Sequence, residues 1–468
     1  RKSSGLKILP RLTDVESIKK TLLLYQRSLK VEFGDIIQKE TLALKNLTAL
    51  KDGEEVSPEE LQKLAEDLPV IKIVDTILAH AINQKASDIH IEPFEKEVLI
   101  RYRLDGVLYD AMVLPKETAS GLVARIKVLT NLRLDEKRLP QDGRFKIENQ
   151  NQNVSFRVST LPTSFGEKIV MRLLPDATSD LTLESMGFHG ADLEKIHEAL
   201  KQTTGMVLVT GPTGSGKSTT VYTILNILNT PGVNISTVED PIEYQMPRVN
   251  QTQVKPEIGL TFASGLRALV RQDPDIIMVG EIRDRETAGL AINAALTGHL
   301  VLSTLHTNSA AGTIPRLLDM GVEPFLLTST IKVVIAQRLV RRLASEKEEY
   351  KLSPAEMADI GKHANLSAVL DLLKKEKILK LTDTWENVSF YRPKANIEEK
   401  DAYSGRICIT EILTMNRALR DLITENGTSD EIEEVAKKSG LVSMVEDGIF
   451  KAAQGITSIE EVFRAVSE

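Results

Sequence analysis

The run Gly211-Pro212-Thr213-Gly214-Ser215-Gly216-Lys217-Ser218 constrains this chain more than any other stretch. It follows a wholly apolar segment, Met206-Val207-Leu208-Val209, that ends at Thr210, and it precedes a helical pattern from Thr219 to Leu228. A strand, a glycine-rich turn and a helix in that order make a cradle for phosphate. The glycines let backbone N–H groups close around the oxygens, and the helix N-terminus adds a favourable dipole. Within the pattern G-x-x-x-x-G-K-[ST], Lys217 is expected on the β- and γ-phosphates and Ser218 on Mg²⁺. Gly211 through Thr219 are the expected nucleotide contacts. Chance alone would give the pattern in roughly 1–2% of chains this long, and the strand–turn–helix setting makes that reading rarer still.

Two more apolar strands follow, Ile276-Ile277-Met278-Val279 and Leu300-Val301-Leu302-Ser303-Thr304. Fully apolar strands alternating with helices imply a mainly parallel sheet covered on both faces. Polar residues cluster where such strands end. Glu239, Asp240 and Glu243 surround Pro241; alone they read as ordinary turn chemistry, but beside a phosphate loop they lie where metal and water are held. The second strand leads into Gly280-Glu281, a Walker B pattern with glycine in the place usual for the first acid. Glu281 is expected to polarise the attacking water or to hold Mg²⁺ through water, and Gly280 to let the backbone approach the nucleotide. His299 and His306 flank the third strand, where a γ-phosphate sensor is reasonable at His306.

The length, 468 residues, allows roughly three domains. Segment 1–68 is charged and helix-like, with a turn at Lys51-Asp52-Gly53 and a helix start at Ser57-Pro58. Residues 69–174 read as a small α+β domain. It has helices near Val70–Gln84 and Thr118–Leu132, a hairpin turning at Asp105-Gly106, and strands at 144–147, 154–159 and 168–173. Residues 175–181 form a polar linker, and 182–468 a P-loop domain with an insertion at about 344–400, charged and helical over Ala344–Lys380, and short helices at the C-terminus. Arg101 and Arg103 share one strand face, either solvated or clamping phosphate across a boundary. The net charge of -7 speaks against nucleic acid or anionic lipid as a partner. Cys408 is the lone cysteine, so no intrachain disulfide or Cys-based zinc site is possible, which suits a reducing compartment. No apolar run approaches a membrane span, and the first residues lack both a signal-peptide core and an initiating Met, as in a truncated chain.

Several strings in order carry a resemblance. They are Ala86-Ser87-Asp88-Ile89-His90-Ile91-Glu92-Pro93, Arg138-Leu139-Pro140-Gln141-Asp142-Gly143-Arg144, the phosphate loop, Val238-Glu239-Asp240-Pro241-Ile242-Glu243, Arg271-Gln272-Asp273-Pro274-Asp275, Val279-Gly280-Glu281-Ile282-Arg283-Asp284, and Thr297-Gly298-His299 through His306-Thr307. From about Val70 onward the chain closely resembles the type II secretion and type IV pilus assembly ATPases.

The resemblance implies a RecA-like P-loop NTPase domain preceded by a smaller PAS-like α+β domain, in a homo-hexameric ring with ATP between the lobes. It further implies a cytoplasmic place at the inner face of the membrane, reached through an inner-membrane platform protein. On the matching positions, Glu239, Asp240 and Glu243 form an Asp box and Glu281 is the catalytic Walker B glutamate, with Lys217 and Glu239 beside it. His299 and His306 belong to a His box, and Arg101 and, less securely placed, Lys116 reach the phosphates. Relatives often hold zinc with two CxxC pairs; those positions here are Ala344, Lys347, Ala395 and Glu398, so no zinc is expected. Helical packing over Ser353–Leu381 would then hold the insertion. The expected reaction is attack of water on the γ-phosphate of Mg-ATP. The rivals are a nucleotide-gated scaffold with little turnover and a DNA-uptake or retraction ATPase; the long segment before Val70 favours assembly or secretion.

Overall fold

The structure, a computed structural model, describes residues 62–467 apart from 64, 150–151, 176–180 and 398. The helical segment expected over 1–68 and most of the linker expected over 175–181 therefore lie outside the described residues. The chain divides into two units, residues 1–176 and 177–468.

In the first unit, alternation of apolar and polar residues builds one antiparallel sheet. Its strands are β1 (Asp88–Pro93), β2 (Glu97–Leu104), β3 (Val107–Pro115), β4 (Gln141–Asn149), β5 (Gln152–Thr163) and β6 (Gly166–Pro175), in the order β3-β2-β1-β6-β5-β4. Asp105 and Gly106, at φ of 46° and 93°, supply the two left-handed residues of the β2–β3 hairpin. Ile89, Ile91, Ile100, Phe156, Val158 and Ile169 point to one face, where Val70, Ile73 and Ile77 of the helix Leu68–Asn83 and Leu122 and Ile126 of the helix Ala119–Leu129 cover them. This is the expected α+β domain. Central strand β1 is hard to see in the sequence, because it alternates Asp88, His90 and Glu92 with its apolar residues.

The second unit is a seven-stranded sheet. Its strands are β7 (Gly205–Thr210), β8 (Ile235–Glu239), β9 (Val249–Gln253), β10 (Ile276–Val279), β11 (Leu300–Leu305), β12 (Ile331–Leu343) and, after the short β13 (Lys347–Tyr350) and β14 (Phe390–Pro393), β15 (Tyr403–Thr414). The order is β15-β12-β7-β11-β10-β8-β9, all neighbours parallel except β15, which runs antiparallel to β12. Successive residues of β7 serve opposite cores. Met206 and Leu208 meet Ala288 and Ile292 of the helix Arg285–Leu296, while Val207 and Val209 meet Val221 and Ile224 of the helix Lys217–Leu228. A strand buried on both sides needs no polar alternate, hence the unbroken apolar run.

The insertion departs from the wholly helical reading of 344–380. β13 pairs with β14 in a two-stranded sheet around the helices Pro354–Ile360 and Leu366–Lys375. Val369, Leu373 and Phe390 close on Ile449 and Phe450 of the helix Met444–Ala453, giving the insertion a small apolar core. Lys347 donates to the Gly455 carbonyl at 2.5 Å and stands over the Tyr391 ring. Leu373 is fully buried. Leu373→Ala is expected to cost about 2–5 kcal/mol, read as faster hydrogen exchange across 354–393.

Candidate nucleotide-binding site

In a parallel α/β sheet, ligands sit beyond the C-terminal ends of the strands, beside the point where connections change direction. β7 occupies that position, with β11 on one side and β12 on the other. The loop leaving β7 holds Gly211, Gly214 and Gly216 at φ of 146°, 83° and 88°, a conformation closed to most side chains. A Cβ on Gly211 would lie 2.4 Å from the Gln337 carbonyl oxygen. Inside this turn the Ser215 hydroxyl is buried and has no hydrogen-bond partner among the described residues. Lys217 folds back so that its Nζ donates to the carbonyls of Gly211 and Pro212 at 2.8 and 3.0 Å. Burial pulls its pKa down, and the charge of Glu281 opposes that shift. Ser218 is exposed and Thr219 half-buried at the start of the following helix. The residues fit a Mg-polyphosphate: an anion would satisfy the orphaned hydroxyl, draw Lys217 off the carbonyls, and leave the Ser218 hydroxyl free to ligate a cation.

Glu281 follows β10 with its side chain 14% exposed, between the Arg283 guanidinium and His306, whose Nε2 is 3.4 Å from Oε2. Arg283 is raised above the ordinary arginine pKa chiefly by its hydrogen bond to Glu281, with Asp240 contributing. Lys217, Glu281, His306 and Asp240 therefore converge at the ends of β7, β10, β11 and β8. Threonines hold this edge. The Thr210 hydroxyl lies 2.6 Å from that of Thr307 and accepts the Thr307 N–H at 3.0 Å, and Thr307 in turn contacts Thr313 at 2.8 Å.

Other expected residues fall elsewhere. Glu239 is buried, and its carboxylate accepts from the hydroxyls of Tyr222 and Thr237 and from the Gln251 amide at 3.0 Å. Three donors on one carboxylate make it a structural anchor of this edge. Unlike Asp240, which is exposed beside Arg283, Glu243 turns its N–H to Tyr222 Oη at 3.3 Å. His299 precedes β11, beside Gly205 at the start of β7, with Nδ1 2.9 Å from the Ala294 carbonyl. β11 spans about 20 Å, so within one chain His299 is at the far end of the sheet from the loop and does not join His306. Gly280 also needs a different reason: a Cβ there would lie 3.3 Å from the Val238 carbonyl oxygen and from the Glu239 Cα. It is small to fit against β8.

In the first unit, Arg101 is committed to Glu92 through two hydrogen bonds of 2.9 Å. Burial works against ionisation of Glu92, yet Arg101 and Lys168 hold its pKa at about 2. Lys116 sits 5.9 Å above the centroid of Phe165. The same outer face carries a row that sequence reading missed. Arg103, Asp88, Arg172, Arg157 and Arg144 occupy one register line across β2, β1, β6, β5 and β4. Asp88 bonds Arg172 at 3.0 Å and lies 3.5 Å from Arg103, while Arg157 makes no ion pair with a described residue. Like charges facing each other across strands are destabilising, and Asp88, set between Arg103 and Arg172, offsets part of that. Only strand pairing, which joins residues 13 to 84 positions apart in sequence, brings this row together.

The family model for type II/IV secretion system proteins matches residues 63–464. Type II secretion system protein E of Xanthomonas campestris pv. campestris is 46% identical over 454 residues, covering 95% of this chain and 77% of that one. The type IV pilus assembly ATPase PilB of Pseudomonas aeruginosa is 45% identical over 406 residues, covering 86% and 69%. Among solved structures, the pilus retraction motor PilT with bound ADP matches with a TM-score of 0.58 at 27% identity, covering 84% of this chain and 96% of that one. The Legionella pneumophila ATPase DotB matches with a TM-score of 0.61 at 23% identity, over 89% and 98%, a likeness of fold.

One carboxylate near the site titrates unusually. Glu411 on β15 is buried, accepts the Ala310 N–H at 2.8 Å just beyond His306 and Thr307, and is pushed up to about 7 by burial, which that hydrogen bond opposes. A raised carboxyl destabilises the fold only where the unfolded chain ionises and the native one resists. The penalty starts near pH 4.5, grows to about pH 7 and then stays level. Glu411→Gln keeps the acceptor for Ala310, so it is expected to add roughly 3 kcal/mol at pH 8 and nothing below pH 4, as read from urea unfolding at both pH values.

Proposed function

The chain belongs to the family of type II/IV secretion system proteins, and from that premise we propose that it is the motor of such a machine, a cytoplasmic ATPase that hydrolyses Mg-ATP on the Gly211–Ser218 loop. The reading is carried by the convergence of Lys217, Glu281 and His306 around a glycine turn with an orphaned Ser215 hydroxyl. Water attacks the γ-phosphate, and catalysis is by positioning and electrostatics. Lys217 exchanges its two carbonyl partners for β- and γ-phosphate oxygens. Glu281, flanked on both sides by Arg283 and His306, orients the water and takes its proton. His306, half-exposed, reports the γ-phosphate. Magnesium, when bound, would neutralise charge on the phosphate oxygens, with Ser218 holding it directly and Glu281 through water.

The working assembly in this proposal is a homo-hexameric ring at the inner face of the cytoplasmic membrane, acting on a platform protein of that membrane. Among the described residues no helix is long and apolar enough to cross a membrane, which supports attachment through partners. The net charge of -7 supports a protein rather than a nucleic-acid substrate. Identity of 46% and 45% to secretion and pilus assembly proteins, against 27% to the retraction motor, supports an export or assembly stroke.

Glu281→Gln is expected to lower phosphate release by about 10²–10⁴-fold while Mg-ADP affinity stays near wild type. Unchanged turnover would remove Glu281 from the chemistry, and a wild-type ring that binds ATP without turnover would favour the scaffold. Arg101→Ala, which leaves Lys168 alone to balance the buried Glu92, should lower the melting temperature.

A further inference from the structure

The outward face of the phosphate loop is held by a residue outside the loop, the first of the run Gln337-Arg338-Leu339-Val340. Gln337, on β12, is fully buried. Its Nε2 donates to the Ser215 carbonyl at 2.8 Å, and its Oε1 accepts from the Thr220 hydroxyl at 2.7 Å. A carbonyl only accepts, so the amide has one admissible orientation, nitrogen toward Ser215 and oxygen toward Thr220. The backbone oxygen of the same residue abuts Gly211, where it leaves no space for a Cβ. Gln337 thus touches the first residue of the loop, its middle, and the first turn of the helix that follows.

The strand beneath Gln337 is itself braced. Its neighbour in the β12–β15 pairing is Thr410, and Cys408 Sγ lies 3.7 Å from its Nε2. The Cys408 carbonyl accepts from Lys451 Nζ at 2.7 Å, and Lys451 pairs with Asp447 at 2.6 Å. Asp447 also takes the Thr410 N–H at 2.7 Å and lies 2.8 Å from His189 Nε2. All these groups but His189 are buried. A donor fixed this firmly cannot follow the loop if the loop relaxes. It selects one loop shape instead, the one whose N–H groups face inward.

We propose that Gln337 is a positioning residue for nucleotide binding: its amide ties Ser215 to Thr220 and keeps the loop in its anion-receptive shape before any nucleotide arrives. The proposal rests on the reading of this loop as the ATP site. Gln337 acts through the loop and not on the phosphates. Glutamate at this position presents only lone pairs to the Ser215 carbonyl, and leucine leaves that carbonyl without a donor.

The test uses the full chain, a fluorescent ADP analogue with Mg²⁺, and hydrogen exchange over residues 211–216 without nucleotide. Gln337→Glu and Gln337→Leu are expected to weaken nucleotide binding at least about tenfold, to speed exchange in the loop, and to raise KM with little change in kcat. Thr220→Val should do the same more weakly, and Thr220→Ser should match wild type. A role in core packing alone would lower melting temperature and leave KM unmoved, and that pattern, or wild-type affinity and exchange in both Gln337 variants, overturns the proposal. If the Gln337 variants fail to fold, the Thr220 pair decides: equal affinity for valine and serine overturns it. A wild-type chain that binds no nucleotide refutes the ATP reading instead, and the exchange comparison still judges Gln337.

Discussion

A planar peptide that turns its N–H toward an anion turns its carbonyl away from it. A loop that cradles phosphate therefore needs acceptors satisfied on its outer face, inside the protein, where an unmet carbonyl is costly. In this chain the requirement reaches well past the loop. Lys217 meets the carbonyls of Gly211 and Pro212, and Gln337 meets that of Ser215. The Lys217 contacts are exchangeable, because a phosphate competes for the same ammonium. The Gln337 contact is not, because no ligand reaches a side chain buried at 0% exposure. The site is thus built from one movable cation and one fixed amide, and the sheet order places both beside β7.

Charge is handled differently in the two units. The second unit keeps single charges in partnered positions: Glu239 on three donors, Asp447 on Lys451, Glu461 on Arg341. Each carboxylate there is a joint between elements, and removing one partner would leave a buried charge alone. The first unit gathers cations. Glu92 and Asp88 on β1 pair with Arg101 and Arg103 of β2 and with Lys168 and Arg172 of β6. Two acids on one central strand thus serve cations from both of its neighbours.

Much of the second unit was legible because its physics is local. An apolar run, glycines at set spacing and a lysine before a helix are contiguous in sequence, and so were β7, β10, β11 and the loop. What was hidden depended on pairing. β12 and β15 mix charged and apolar residues, as in Arg338, Arg341 and Arg406, since parts of these strands meet helices carrying Glu461 and Asp447. Gln337 opens a run by which the sequence aligns with its family, but nothing in the run says that its amide reaches the phosphate loop. The histidines show the same limit: six residues of strand separate His299 from His306, a short interval in sequence and the full height of the sheet in space.

The insertion carries the argument one step further. A metal site would hold such a segment by a few strong bonds at one point. Here Lys347 bonds the Gly455 carbonyl, while Val369, Leu373, Val388 and Phe390 share an apolar core with Ile449 and Phe450. A core of this kind is distributed, and its strength depends on the neighbouring helix keeping its place. That helix, Met444–Ala453, also carries Asp447 and Lys451, the bracing pair beneath β15. The insertion and the polar chain that leads to Gln337 therefore share a single helix, and anything that shifts the insertion acts on the support of the phosphate loop.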